Sequence, residues 1–184
     1  MPWTNPPTFA ANTVLKAPTM NDSVRDNLHS LGHLRPAARI SRNSTGQNLF
    51  SGTAATVLFN SIDWNSPGSV AAIGPTPLPA ETDRITATIP GMYLISGTIE
   101  FSSNATNSRQ VIGYMNRASG GVSDLGGFTD RAVSGFTHTI NFQFITWDVQ
   151  VGDYVYIQAN QNSGSTLTVG ANSNLSMVLL KAFP

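Results

Sequence analysis

Two alternating runs that meet at a Pro-Gly pair, within residues 84–101, most constrain the fold of this chain. A period of two along both arms is typical of half-buried β-strands. Pro90 and Gly91 suit the central positions of a tight turn, proline by its fixed φ and glycine by accepting a positive φ. The segment therefore predicts a β-hairpin with one face of each strand in a core. The residues that share those faces are Ile85, Ala87 and Ile89 before the pair, and Tyr93, Ile95, Gly97, Ile99 and Phe101 after it.

Short alternating runs continue this pattern from about residue 36 onward, and turn-rich segments separate them. In the cleanest run, residues 136–147, one face carries Phe136, His138, Ile140, Phe142 and Phe144. The glycine-rich residues 118–127 predict a flexible surface loop. With no helical pattern between the runs, the sequence predicts an all-β antiparallel sandwich or barrel. Further predicted strands are residues 38–41, 54–62, 109–117, 154–160, 167–169 and 175–183.

Residues 1–35 have a different character and predict a separate N-terminal part, followed by a β domain over residues 36–184. Residues 1–18 are proline-rich and predict an extended arm. Its apolar side chains favour docking on another surface, with simple disorder as the alternative. Residues 19–34 predict a short α-helix whose apolar stripe must pack on its own domain, on sister chains or on a larger body. The candidate anchoring residues are Trp3, Phe9, Val14 and Leu15 in the arm, and Met20, Val24, Leu28 and Leu31 in the helix.

The last predicted strand is apolar without alternation at Met177, Val178, Leu179 and Leu180. Both of its faces therefore look buried. One face can pack on the core of its own domain, whereas the other needs a cover that the remaining chain does not supply. We expect another copy of the protein to provide it, with these four residues at the interface.

The charge of the chain excludes several classes of function. Charged residues make up 11% of the sequence, the formal net charge is zero, and there is no cysteine. With no basic run, we expect neither nucleic-acid binding nor attraction to anionic membranes.

The N-terminus does not predict a signal peptide. No apolar run approaches the roughly 20 residues that cross a bilayer, so membrane insertion is not expected.

No catalytic or metal-binding constellation stands out. His29 and His33 have zinc-ligand spacing, but no third ligand accompanies them. His138 falls on the core-directed face of its strand, and we expect a core or interface histidine. Loop aspartates could hold calcium, although no spacing demands it, and no cofactor is expected. We therefore expect no enzyme.

Loops are where binding residues concentrate. Trp64 and the segment around Asp124 are the candidate ligand-facing loops. The alternative for Trp64 is that its ring merely closes one end of the sandwich.

From residue 36 onward, the order of landmarks resembles the C1q-like and TNF-like jelly rolls. The family's Pro-Gly-x-Tyr turn matches Pro90–Tyr93, and its Gly-Asp-x-Val strand start matches Gly152–Val155. The usual ending of Gly-Phe-Leu-Leu type is replaced here by residues 177–183. The resemblance implies a jelly-roll sandwich that forms a homotrimer. Other matching pieces are Ala38–Ile40, Phe59–Gly68, residues 83–101 and Trp147–Ser165.

A second resemblance concerns the N-terminal part. An early Trp-Thr pair and a helix that carries residues 24–28 are similar to the segment that precedes a C1q-like domain in small structural proteins of tailed phages. It implies a virion protein, assembled in the host cytoplasm, that serves as a capsid decoration, head fibre or tail-fibre component. Its partners would be itself, a capsid or tail protein, and a host-surface glycan or protein. The alternative is a free-standing adhesin module that binds carbohydrate or protein.

Overall fold

The computed structural model describes residues 37–43, 46–66, 83–133 and 135–183, and the predicted arm and helix of residues 1–35 lie outside these ranges. The described chain consists of twelve strands and their connections. The strands are β1 (Ala37–Ser41), β2 (Gln47–Leu49), β3 (Ala55–Thr56), β4 (Ser61–Asn65), β5 (Arg84–Thr86), β6 (Gly91–Phe101), β7 (Ser108–Asn116), β8 (Val122–Arg131), β9 (His138–Val149), β10 (Tyr154–Gln161), β11 (Leu167–Val169) and β12 (Asn174–Ala182).

The strands form two antiparallel sheets. The seven-stranded sheet has the order β2-β11-β6-β12-β1-β4, and β9 also pairs with β6. The five-stranded sheet has the order β3-β10-β7-β8, and β5 also pairs with β10. Buried side chains from both sheets form one apolar core. The predicted antiparallel sandwich is confirmed.

The alternating positions point into this core as the sequence predicts. Along β6, burial alternates and Tyr93, Ile95, Ile99 and Phe101 are enclosed. Along β9, the enclosed positions include Ile140, Phe142 and Phe144. Phe136, predicted to share that face, lies before the strand and is 71% exposed.

The predicted hairpin at Pro90 is wrong. Strand β5 pairs with β10, whereas β6 pairs with β9 and β12, so the two arms belong to different sheets. Alternation cannot distinguish the two cases, because both arms face the same core in a hairpin and in a corner. Gly91 does not have a positive φ. It is needed because a Cβ there would overlap the carbonyl oxygen of Lys181 on β12.

Tyr93 ties this corner together. Its hydroxyl donates a hydrogen bond of 2.6 Å to the carbonyl oxygen of Ile89, across the Pro-Gly pair. Burial of the phenol raises the pKa of Tyr93 to about 12, although its hydrogen bond to Ile89 acts in the opposite direction. The tyrosine therefore stays protonated and holds the corner closed at any ordinary pH.

The flexible loop predicted for residues 118–127 is also wrong in its second half, which belongs to β8. One glycine of this segment makes room for an aromatic ring instead, together with a glycine of the neighbouring strand. Gly113 of β7 and Gly126 of β8 lie against the ring of Phe144, where a Cβ at either position would press on ring atoms. Gly126 also has a φ of +123°, which disfavours other residues.

Strand β12 lies between β6 and β1 in the seven-stranded sheet. Met177 and Leu179 point into the core, whereas Val178 and Leu180 are half-buried on the outer side. Residues 177–180 thus have one face packed in the core of the domain and one face with accessible surface.

Candidate interaction surfaces

The outer face of the seven-stranded sheet carries a row of apolar side chains, here called the apolar strip. Strand register aligns Ile145 of β9 with Leu94 of β6, Leu94 with Val178 of β12, and Val178 with Ala37 of β1. Ile145 is 55% exposed and the other three are half-buried. The strip crosses four neighbouring strands, so it presents a continuous apolar surface rather than isolated residues.

On one side of the apolar strip, the next two rows across β9, β6, β12 and β1 are polar and carry few charges. The row beside the apolar strip contains one ionic group, Arg39, whose Nε lies 2.9 Å from a carboxylate oxygen of Asp63. A surface of hydroxyls and amides is less costly to remove from water than a surface of charges. The rows after the strip are Gln143, Ser96, Ser176 and Arg39, and then Asn141, Thr98, Asn174 and Ser41.

The outer face of the five-stranded sheet carries three tyrosines and one arginine. This cluster, here called the tyrosine face, consists of Arg84, Tyr114, Tyr154 and Tyr156. Tyr114 of β7 and Tyr156 of β10 are register partners, and their rings stack with centroids 5.3 Å apart at 19°. The rings of Tyr154 and Tyr156 lie 6.1 Å apart. The guanidinium of Arg84 lies 4.2 Å from the ring centroid of Tyr154, in cation–π geometry.

The charges of the tyrosine face are internally balanced. Arg84 Nε donates to Asp83 Oδ1 at 2.6 Å, and this hydrogen bond is the main cause of the raised pKa of Arg84. The pKa of Tyr156 is raised first by burial and then by Tyr114, Tyr154 and Asp83. The phenol of Tyr156 is therefore neutral at physiological pH and available as a hydrogen-bond donor and acceptor.

Beyond the tyrosines, the same face becomes an uncharged polar groove. Its walls come from β7, β8, β10 and the loop after β10, and the rim is held by Asn162, whose Oδ1 accepts from the backbone N–H of Ser108 at 2.8 Å. Within the described residues, Asn160 Oδ1 has no hydrogen-bond partner. The groove is lined by Ser108, Gln110, Thr129, Asn160, Gln161 and Asn162.

The two candidate loop residues lie on strands, and on opposite sheets, so they do not form one ligand-facing tip. Asp124 belongs to β8, where it is exposed beside the tyrosine face as the register partner of Tyr114. Trp64 belongs to β4 at the edge of the other sheet, 42% exposed and opposite Arg39. Their assignment to loops is wrong, because both segments are paired to neighbouring strands.

The candidate trimer-interface residues are also divided. Met177 and Leu179 are enclosed by the protomer's own core, which leaves Val178 and Leu180 with surface for a second copy. His138 is 12% exposed at the start of β9, with Nε2 3.4 Å from an Asp130 carboxylate oxygen. It lies at the edge of the sandwich, away from the apolar strip in register.

Asp153, in the Gly-Asp-x-Val segment, joins two connections, the one between β9 and β10 and the one between β7 and β8. Its carboxylate accepts from the backbone N–H of Gln150 at 2.9 Å, from that of Ala118 at 2.8 Å, and from Arg117 Nη1 at 2.9 Å. Burial acts to raise the pKa of Asp153, but these hydrogen bonds and the Arg117 charge together hold it below its usual value. The bond from the Gln150 N–H caps the turn that leads into β10.

Arg109 is a fully buried cation whose role is also structural. Its guanidinium donates to the carbonyl oxygens of Asn104, Thr106 and Ser108, at 2.9 to 3.0 Å. Burial lowers the pKa of Arg109, which nonetheless remains charged. It organises the connection between β6 and β7 from inside the sandwich.

Metal binding and membrane insertion find no support in the part of the chain that the structure describes. No group of three or more His, Asp or Glu side chains there could hold a metal ion. Nor does that part contain a helix long and apolar enough to span a membrane.

Solved structures decide the fold. The domain is similar to Eiger TNF from S. frugiperda, with a TM-score of 0.57 and 15% identity over 82% of this chain and 95% of that one. It is also similar to murine APRIL, with a TM-score of 0.59 and 11% identity over 80% of this chain and all of that one. The fold is a TNF/C1q-like jelly roll. The globular domain of zebrafish complement 1qA matches as well, with a TM-score of 0.54 and 16% identity over 82% of this chain and all of that one.

Sequence comparison adds a viral relative. An uncharacterised protein of Acanthamoeba polyphaga mimivirus is 33% identical over 110 residues, which are 59% of this chain and 46% of that protein. The jelly-roll chain thus spans about half the length of the relative. No family model matches the chain.

Proposed function

We propose that this chain is a virion structural protein that assembles as a homotrimer, with its N-terminal part anchored to the particle and its jelly roll displayed outward. It serves as a capsid decoration, head fibre or tail-fibre component and catalyses no reaction. The viral relative and the resemblance of residues 1–35 to segments of phage structural proteins support the viral setting.

The apolar strip is the observation that carries the assembly. Ile145, Leu94 and Val178 occupy adjacent strands, so a second copy packed on them removes one continuous surface from water. Each square ångström of apolar surface so buried contributes about 25 cal/mol. The hydroxyl and amide rows beside the strip can pair across the interface without a large desolvation penalty.

A charged residue in the apolar strip tests the assembly. Multi-angle light scattering of the wild type should give a mass near three times 19.6 kDa. Val178→Asp should yield folded monomers, because three carboxylates would be brought together in the interface. Ile112→Asp is the matched control, since Ile112 is also half-buried on an outer face, but on the five-stranded sheet. A wild-type monomer at micromolar concentration would refute the trimer.

The anchoring role has a separate test. Removing residues 1–34 should leave a folded trimer that no longer joins the particle, as measured by mass spectrometry of purified virions. The shortened chain should keep the circular dichroism spectrum of a β-sandwich. Normal incorporation of the truncated protein would place the anchor elsewhere.

A free-standing adhesin is the second candidate, and the tyrosine face favours it. Half-buried tyrosines on an outer face beside an arginine are typical of recognition surfaces. The two functions differ in where the protein is found. Its absence from purified virions, together with a defined ligand, would support the adhesin.

A further inference from the structure

We propose that the outer face of the five-stranded sheet binds a neutral polysaccharide, which lies along β7 and β10 from the tyrosine face to the polar groove. This inference rests on the proposed role of a surface-displayed domain. It names the chemistry that such a domain would recognise.

The functional groups along this face match those of a sugar chain. Outward positions of β10 are Tyr154, Tyr156, Gln158 and Asn160, and register places Gln110 of β7 opposite Asn160. Sugar hydroxyls both donate and accept hydrogen bonds, and so do primary amides and phenols. Within the described residues, no hydrogen bond occupies the hydroxyls of Tyr114, Tyr154 or Tyr156.

The balance of charge selects a neutral ligand. Arg84 is neutralised by Asp83 through two hydrogen bonds, of 2.6 and 3.1 Å. Among the described residues, the other ionic groups of this face, Asp124 and Arg131, are of opposite sign and lie on β8 at its margin. With no net field along the face, an anionic or cationic polymer gains little over a neutral one.

The tyrosines supply the apolar part of recognition. Stacking of Tyr114 on Tyr156 and the contact of Arg84 with Tyr154 hold the rings in place before a ligand arrives. Pre-ordered rings lose little conformational freedom on binding. The apolar C–H faces of sugar rings can then pack against their exposed edges.

The shape of the site fits a chain better than a compact partner. Tyr154 and Asn160 are six residues apart on one strand, about 20 Å at roughly 3.3 Å per residue. Along that path, the pair of Tyr156 and Tyr114 is followed by Gln158 beside the aliphatic Ile112, and then by Asn160 beside Gln110. A protein interface would instead have a dry apolar centre. The apolar strip belongs to the other sheet, so assembly through it leaves this face open.

Native gels cast with polysaccharide test the proposal. Laminarin, mannan and dextran are the neutral probes, and alginate and chitosan are the charged ones. At least one neutral probe should retard the full-length protein, and the charged probes should not retard it more. Retardation by charged probes alone, or by none of the five, would overturn the proposal.

Substitutions then locate the binding on the face. By titration calorimetry with the retarding probe, Gln158→Ala and Tyr156→Ala should each weaken binding about tenfold or more, a loss of about 1.4 kcal/mol. Gln150→Ala removes the same side chain from the exposed turn between β9 and β10 and should leave affinity unchanged. Tyr156→Phe keeps the stacked ring and should lose less than Tyr156→Ala. Equal losses at Gln150 and Gln158 would contradict the site.

Failure of the polysaccharide proposal can be distinguished from failure of the proposed trimer. A trimer in light scattering that binds none of the probes would refute the polysaccharide alone. A monomer that binds a neutral probe through Tyr156 would refute the trimer alone.

Discussion

Asp153→Asn changes a carboxylate that accepts three N–H groups into an amide with a single acceptor oxygen. The best rotamer keeps the bonds from Gln150 and Arg117 and turns the amide nitrogen toward the backbone N–H of Ala118. A buried donor left unpaired costs about 1–3 kcal/mol. Breaking a buried ion pair costs about 3–5 kcal/mol. The Arg117 side chain is 25% exposed and can regain water, so we expect a loss of about 3 kcal/mol in the free energy of unfolding.

Urea unfolding followed by tryptophan fluorescence measures this loss. Asp148→Asn is the matched control, because Asp148 is exposed and has a φ of 59° that asparagine tolerates well. The control should change stability by less than about 0.5 kcal/mol. A loss below about 1 kcal/mol for Asp153→Asn, or an equal loss in both variants, would refute the role given to the carboxylate hydrogen bonds.

The pH dependence gives a second measurement of the same group. The folded pKa of Asp153 lies below its unfolded value, which is about 3.9. Its stabilisation is therefore complete above the unfolded pKa and is lost as pH falls through the folded pKa. The stability difference between wild type and Asp153→Asn should be constant near neutrality and shrink below about pH 4. A difference that grows on acidification would contradict this sign.

Three further substitutions test other parts of the fold. Gly97→Ala should destabilise by about 1–3 kcal/mol in urea unfolding, because the new Cβ overlaps the carbonyl oxygen of Asn174. Tyr93→Phe should cost about 1 kcal/mol, the hydrogen bond to Ile89, with the core otherwise intact in calorimetry. Arg109→Met should cost about 3 kcal/mol and make residues 102–107 sensitive to limited proteolysis, because three carbonyls lose their donor. Resistance of that connection to protease would contradict the last prediction.

Periodicity predicts which side chains enter the core better than it predicts which strands pair. Ile95 and Val111 point inward as their alternation requires, since a one-residue slip would expose a whole face. At Pro90, the same alternation suits a hairpin and a corner between sheets equally well. The distinction depends on β10 and β12, which are remote in sequence and supply the actual partners.

Glycines were the other source of error. In residues 118–127 they suggest a loop, but Gly126 lies in β8 against the ring of Phe144, which belongs to the other sheet. Packing across the sandwich is not encoded in the local sequence. Residues 118–127 are therefore predicted as a loop, although residues 122–127 belong to β8.

The sequence analysis does not predict the tyrosine face, because its side chains are brought together only by the pairing of β7 with β10. Tyr114 and Tyr156 come from strands on opposite sides of a long stretch of chain, and they meet only when β7 pairs with β10. One signal was present in the sequence: tyrosines stand in the outward phase of both strands, where polar residues are usual. Large aromatic residues on the outward phase are a reason to look for a binding surface.

The position of β12 has a consequence for how the protein is made. This strand lies between β1 and β6, yet it is synthesised about 80 residues after β6 begins. Until residues 174–182 leave the ribosome, the edges of β1 and β6 have no partner between them and can pair with strands of other nascent chains. Sheets closed by such distant segments fold slowly. Chains halted before β12 should therefore aggregate rather than fold, so the yield of native protein depends on the last strand to appear.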